Sequence, residues 1–166
     1  MFHSHALCVA SLQIGQKVVP KEIALLHAVK HKFIIRMLDY FEDTNNFYIV
    51  MERPEKYIDL FDYITQKGTV SERSARYLFR QTVEAVQYCL SVGVVHRDVK
   101  DENILIDLKS NQVKLIDFGS GTFLQEEAYT EYEGELASSL SLCITIGWTT
   151  PELTVMYSVH CIRVVL

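Results

Sequence analysis

The sequence predicts an α+β domain in which a small strand-rich part joins a larger helical part through a short hinge. Three observations carry that expectation. Residues 72–90 place Ala75, Leu78, Phe79, Val83, Val86, Cys89 and Leu90 at spacings of three and four, which gives a helix one apolar stripe to bury. Two separate pairs of short apolar runs, 33–41 with 47–51 and 104–106 with 113–116, each flank a polar turn, as antiparallel hairpins do. Pro54 falls between the first pair and the helices, where it punctuates the chain as a hinge would.

Taken in order, Pro20 suits the opening of a helix because its ring presets φ, and residues 21–29 continue with Ile23, Leu26 and Val29 on one side. Residues 33–41 are rich in β-branched and aromatic side chains, although their alternation is imperfect. Asp43-Thr44-Asn45-Asn46 supplies turn chemistry before the return strand 47–51. Residues 58–66 form a short helix ended by Gly68. Thr69 with Glu72 three residues on is a capping-box pattern for the long helix, and Gly93 is its stop. The turn 109–112 then closes a second hairpin that presents Asp117 at its end.

At 166 residues the chain is one domain's worth, enough for a sizeable core. A net charge of -5 provides no basic surplus for phosphates, so neither nucleic acid nor an anionic membrane is expected as partner. Cys8, Cys89, Cys143 and Cys161 form no CxxC pair, which indicates neither a zinc site nor a disulfide framework; a cytoplasmic setting, with the nucleus also open, is the expectation. His27 and His31 are four apart and read as a surface pair, with no third ligand nearby. The first fifteen residues have no basic n-region. The apolar stretch 136–166 is broken by Ser, Thr, Gly147 and Pro151, so it offers no run of about 18 apolar residues to span a bilayer.

The chemistry concentrates in His96-Arg97-Asp98-Val99-Lys100-Asp101-Glu102-Asn103, followed by Asp117-Phe118-Gly119. Phosphoryl transfer from ATP needs a placed hydroxyl acceptor, cations on the phosphates, and oxygen ligands for the metals. Asp98 is the candidate base for the hydroxyl proton, and Lys100 the cation that reaches the transferring group. Asn103 and Asp117 are the candidate Mg²⁺ ligands. Either aspartate taken alone would read as a turn or helix-cap residue. Their occurrence together with Lys100 and Asn103 at these spacings decides for a catalytic set.

These motifs resemble those of eukaryotic serine/threonine protein kinases, and within them the Pim family. The closer likeness is carried by Val19-Pro20-Lys21-Glu22, Glu52-Arg53-Pro54-Glu55, Asp59-Leu60-Phe61-Asp62, Lys100-Asp101-Glu102-Asn103-Ile104-Leu105-Ile106-Asp107 and Leu115-Ile116-Asp117-Phe118-Gly119-Ser120-Gly121. It covers residues 19–134 as a partial kinase domain, between a non-matching segment 1–18 and a divergent apolar tail 135–166. The fold it implies is protein-kinase-like and truncated: a partial small lobe, a hinge, and the first half of a helical large lobe. ATP and Mg²⁺ are the implied cofactors.

By the same resemblance, Glu22 is the helix glutamate that pairs with an ATP-binding lysine. Leu26, Leu38, His96 and Phe118 form a packed column between the lobes. Met51 is the gatekeeper, Glu52 begins the hinge, and Leu105 and Ile116 floor the adenine pocket. Pro54 has no backbone N–H, so adenine would meet the hinge through the Glu52 carbonyl. Asp59, Asp62 and Glu102 match acidic positions that receive arginines, which makes Arg-rich protein substrates the expected partners; a solvated acidic face is the alternative.

The pattern also departs from the family. Only Gly15 precedes Glu22, so there is no GxGxxG loop and no VAIK-type lysine; Lys17 lies in no apolar strand and is not given that role. Thr150-Pro151-Glu152 is the one candidate for the end of the activation segment, and it comes about ten residues late. Glu131 and Glu133 could supply standing negative charge for Arg97. The alternative to an active kinase is a catalytically inactive kinase-like binding fragment or a truncated gene product.

Overall fold

The computed structural model describes residues 11–15 and 17–124. The expectations for Glu131, Glu133, Thr150-Pro151-Glu152 and the tail 135–166 lie outside the described residues.

An unpredicted hairpin leads the described chain. Strand β1 (Ser11–Ile14) pairs antiparallel with β2 (Lys17–Pro20) around Gly15, whose φ of 62° suits a residue without Cβ. Lys17 therefore does begin a strand, contrary to expectation, and its side chain is exposed. Helix α1 (Lys21–Ala28) follows directly, with Pro20 at its N-cap and Ile23, Ala24, Leu25 and Leu26 buried. It ends at Ala28, so His27 and His31 do not share a helix face. His31 instead stacks on Tyr88 with ring centroids 4.9 Å apart.

Strands β3 (Met37–Glu42) and β4 (Phe47–Met51) form the first predicted hairpin. Asp43 organises its turn by accepting from the backbone N–H groups of Asn45 and Asn46, each at 2.8 Å. Residues 33–36 do not join β3. They lie instead along a later strand, where the Ile35 N–H donates to Leu115 O at 2.9 Å and the Leu115 N–H to Phe33 O at 2.8 Å. The register shifts between Met37 and Asp39, and this bulge explains the broken alternation in the sequence. It also turns Leu38 outward, 53% exposed, so Leu38 does not belong to the packed column; Met37 packs inward in its place.

Strand β5 (Tyr57–Asp59) takes the start of the segment expected to be helical, and helix α2 (Leu60–Lys67) follows. Helix α3 (Glu72–Ser91) is the long amphipathic helix. Its N-cap is Ser71, whose hydroxyl accepts from the Ser74 N–H at 3.3 Å, and not Thr69. Gly93, with φ 73°, closes its C-terminus by donating to Leu90 O. Strand β6 (Val94–Val95) leads to a 3-10 turn, Asp101–Asn103. Strands β7 (Ile104–Asp107) and β8 (Gln112–Leu115) make the second hairpin, with β5 on the other side of β7. Strand β9 (Thr122–Phe123) returns to pair with β6.

Two apolar clusters hold these elements. The larger joins α1, α3, β7 and β8 through side chains such as Leu25, Val86, Ile104 and Phe118; the smaller gathers Val19, Ile23 and Ala24. Met37, Ile49 and Phe123 pack against both.

Candidate active site

Two short loops meet at the ends of the β6 and β8 strands. The first, after β6, carries Asp98, Lys100 and Asn103; the second, after β8, carries Asp117. His96 ties them together. It is 1% exposed, and its Nε2 lies 2.9 Å from Ile116 O. Since a carbonyl can only accept, Nε2 carries the proton, which leaves Nδ1 to accept from the Asp98 N–H at 3.3 Å. Burial pushes the imidazole below its ordinary pKa, against weaker opposing effects of the Ile116 carbonyl, Asp117 and Asp98. The neutral ring is the form these two bonds require. Phe118 packs edge-on against it with centroids 4.6 Å apart, and with Leu26 completes the buried part of the expected column.

Both loops hold a non-glycine residue in left-handed backbone: Arg97 at φ 66° and Asp117 at φ 63°. Such conformations cost free energy and persist where surrounding contacts enforce them. For Arg97 one such contact is its Nε–H donating to Ser120 O at 2.7 Å; for Asp117 it is Oδ1 accepting from the Gly119 N–H at 3.1 Å. Gly121, just beyond, is packed so closely that a Cβ there would meet Leu25 Cδ1 at 2.9 Å and Phe118 O at 3.0 Å.

Asp98 is 9% exposed. Its Oδ2 accepts from Asn103 Nδ2 at 2.9 Å and lies 3.2 Å from Lys100 Nζ. Its Oδ1 is buried and has no hydrogen-bond partner, alone among buried side-chain nitrogens and oxygens of the described residues. A buried carboxylate oxygen left open in this way is costly unless a donor arrives. Asn103 Nδ2 also donates to Asp98 O at 2.8 Å. Its amide nitrogen is thus committed, and Oδ1 remains as the atom able to ligate a cation. Asp117 is exposed. These are hard oxygen donors, a set that fits Mg²⁺ completed by phosphate and water oxygens.

The remaining expected residues lie on several other elements. Leu105 and Ile116 are half-buried on β7 and just after β8, and Met51 is 45% exposed at the end of β4. Glu22 lies in the first turn of α1. Asp59 has a structural task that the sequence reading missed: it is the N-cap of α2, accepting from the Asp62 N–H at 2.7 Å. Asp62 is exposed on α2 and Glu102 on the adjoining 3-10 turn, where Glu102 lies 3.6 Å from Lys100 Nζ.

Lys114 also escaped the sequence reading. Its Nζ meets Glu52 Oε1 at 2.7 Å, and the same oxygen accepts from the Arg36 N–H at 2.9 Å. The Glu52 N–H in turn donates to Arg36 O at 2.9 Å. The segment after β4 is thereby fastened to β8, the strand that leads to Asp117. A lone lysine in the otherwise apolar run 113–116 was the available signal.

A family model described as the protein kinase domain matches residues 9–161. The chain is 50% identical over 125 residues to serine/threonine-protein kinase pim-2 of Danio rerio, covering 70% of this chain and 40% of that protein. It is 46% identical over 123 residues to serine/threonine-protein kinase prk-2 of Caenorhabditis elegans, covering 74% and 28%. Serine/threonine-protein kinase ppk6 of Schizosaccharomyces pombe is 36% identical over 138 residues, covering 81% and 16%. The chain spans less than half the length of each of these relatives.

Proposed function

This chain belongs to the protein kinase family, as a Pim-like serine/threonine member, and on that premise we propose that it transfers the terminal phosphoryl group of ATP to serine or threonine hydroxyls of proteins. The observation that carries the reading is the open, buried Oδ1 of Asp98 beside Lys100 and Asn103. An incoming hydroxyl would donate to that oxygen. As the new O–P bond forms, Asp98 takes the hydroxyl proton, and the bond to the leaving ADP oxygen breaks. Asn103 holds the other carboxylate oxygen in place, and Lys100 opposes the charge that develops nearby.

Protein kinases as a family use ATP with Mg²⁺. Bound Mg²⁺ would supply charge neutralisation at the phosphates, and Asn103 Oδ1 and Asp117 would hold it. Leu105, Ile116 and Met51 would enclose adenine, with the Glu52 carbonyl as the hinge acceptor, and Glu22 would act from α1 on the phosphate side. We further propose that Asp62, Glu102 and the uncommitted oxygen of Asp59 favour Arg-rich substrates by charge-assisted pairing.

The test compares this chain with Asp98→Asn in two assays. Mg-ATP should raise the thermal midpoint of both. Transfer to an Arg-rich serine peptide should fall by ~10²-fold or more in the variant, and should exceed transfer to an acidic peptide in the parent chain. Stabilisation without transfer in the parent would favour a nucleotide-binding module over an enzyme. Equal transfer by parent and variant would remove Asp98 from the chemistry.

A further inference from the structure

A cavity of about 760 Å³ opens between α2, the N-terminal half of α3 and the β7–β8 turn, and no residue of the Asp98 constellation lines it. Arg73, Arg76 and Arg80 line it from α3. Their spacings of three and four put all three on one helix face. Glu72 is the one acidic residue among the lining side chains, and it is engaged by Arg76. Glu84, the acid four residues beyond Arg80, is held chiefly by Lys32 at 2.9 Å and interacts more weakly with Arg80. The cavity therefore carries a positive surplus on a chain whose net charge is -5.

Its wall is braced from within. Gln81 is 4% exposed, and its Nε2 reaches Tyr77 O at 3.2 Å and Asn111 O at 3.3 Å, while its Oε1 accepts from the Val113 N–H at 3.2 Å. This one side chain fixes α3 against the β7–β8 turn. Tyr63 and Tyr77, the latter 51% exposed, add two amphipathic rings to the lining. Aromatic surface within an arginine rim is a combination found where proteins receive other chains.

We propose that this cavity docks an acidic segment of a partner protein, with an apolar side chain seated by Tyr63 and Tyr77 and its carboxylates on Arg73 and Arg80. Guanidinium groups present paired donors to a carboxylate, and the acidic remainder of the chain would repel such a segment elsewhere. Docking here needs no phosphoryl transfer, so it stands whether or not the chain proves catalytic.

The probe is a fluorescein-labelled peptide of alternating glutamate and leucine, titrated with the full chain and followed by anisotropy. Arg73→Glu/Arg80→Glu should weaken binding by ~10-fold or more with an unchanged thermal midpoint, and added salt should weaken binding to the parent chain. Should the double reversal fail to fold, Arg73→Gln/Arg80→Gln is read in its place. Equal binding by the substituted chain, or equal binding of a lysine–leucine peptide, overturns the proposal. So does peptide release that tracks self-association of the chain at higher concentration, since the cavity would then serve a second copy.

Discussion

His96 shows how much a single side chain decides. The sequence marks it as part of a motif, but its work is architectural: a neutral imidazole donates to Ile116 O and accepts from the Asp98 N–H, so one ring sets the distance between two loops. Because burial lowers its pKa in the folded chain, the unfolded chain binds more protons as pH drops below the unperturbed value of 6.5. Stability is therefore fully present above that value and is lost as pH falls from it toward the folded pKa. His31, also lowered, by burial first, acts in the same window. Urea midpoints measured from about pH 7.5 to about pH 5.5 should fall in the parent chain. The decline should be shallower in His96→Asn; an unchanged slope would assign the window to His31 alone. At this scale spacing singled out Asp98, Lys100 and Asn103, and the fold brings these three side chains together. The committed amide of Asn103 and the cap role of Asp59 were not legible, because hydrogen-bond direction depends on backbone geometry that spacing does not encode.

Among the elements, periodicity located what is long and amphipathic. Helix α3 was legible end to end except for its cap. Thr69 offered the expected residue type three positions before Glu72, yet the chain enters the helix at Ser71, and the Ser71 hydroxyl reaches the Ser74 N–H. Ser71→Ala should cost about 1 kcal/mol of stability, whereas Thr69→Ala should be neutral within a few tenths. Denaturant midpoints of the two variants distinguish the caps, and the reverse order would restore the capping box. Short strands were less legible. Strands β5, β6 and β9 comprise two or three residues each and exist because neighbours supply their partners, which no local window contains. The bulge at Leu38 defeated simple alternation for a related reason: one extra residue moves a side chain to the opposite face.

At the scale of the molecule, the mixture of helices and short antiparallel hairpins was readable from the clustering of hairpin and helix patterns. What joins the parts was not. Glu52 and Lys114 are sixty-two positions apart in sequence, and their ion pair, with side chains 26% and 16% exposed, links the segment after β4 to β8. Lys114→Met should lower stability by ~1 kcal/mol by stranding a half-buried carboxylate, and adding Glu52→Met should recover most of that loss. A double-mutant cycle on urea midpoints checks this; additive losses would mean the pair contributes no coupling. The left-handed backbone at Arg97 and Asp117 has a consequence for the molecule as a whole. Glycine would sit more comfortably at either position. Each loop sets backbone ease against the contacts of a charged side chain, Arg97 with Ser120 O and Asp117 with the Gly119 N–H, so glycine at either position would gain the first and forfeit the second.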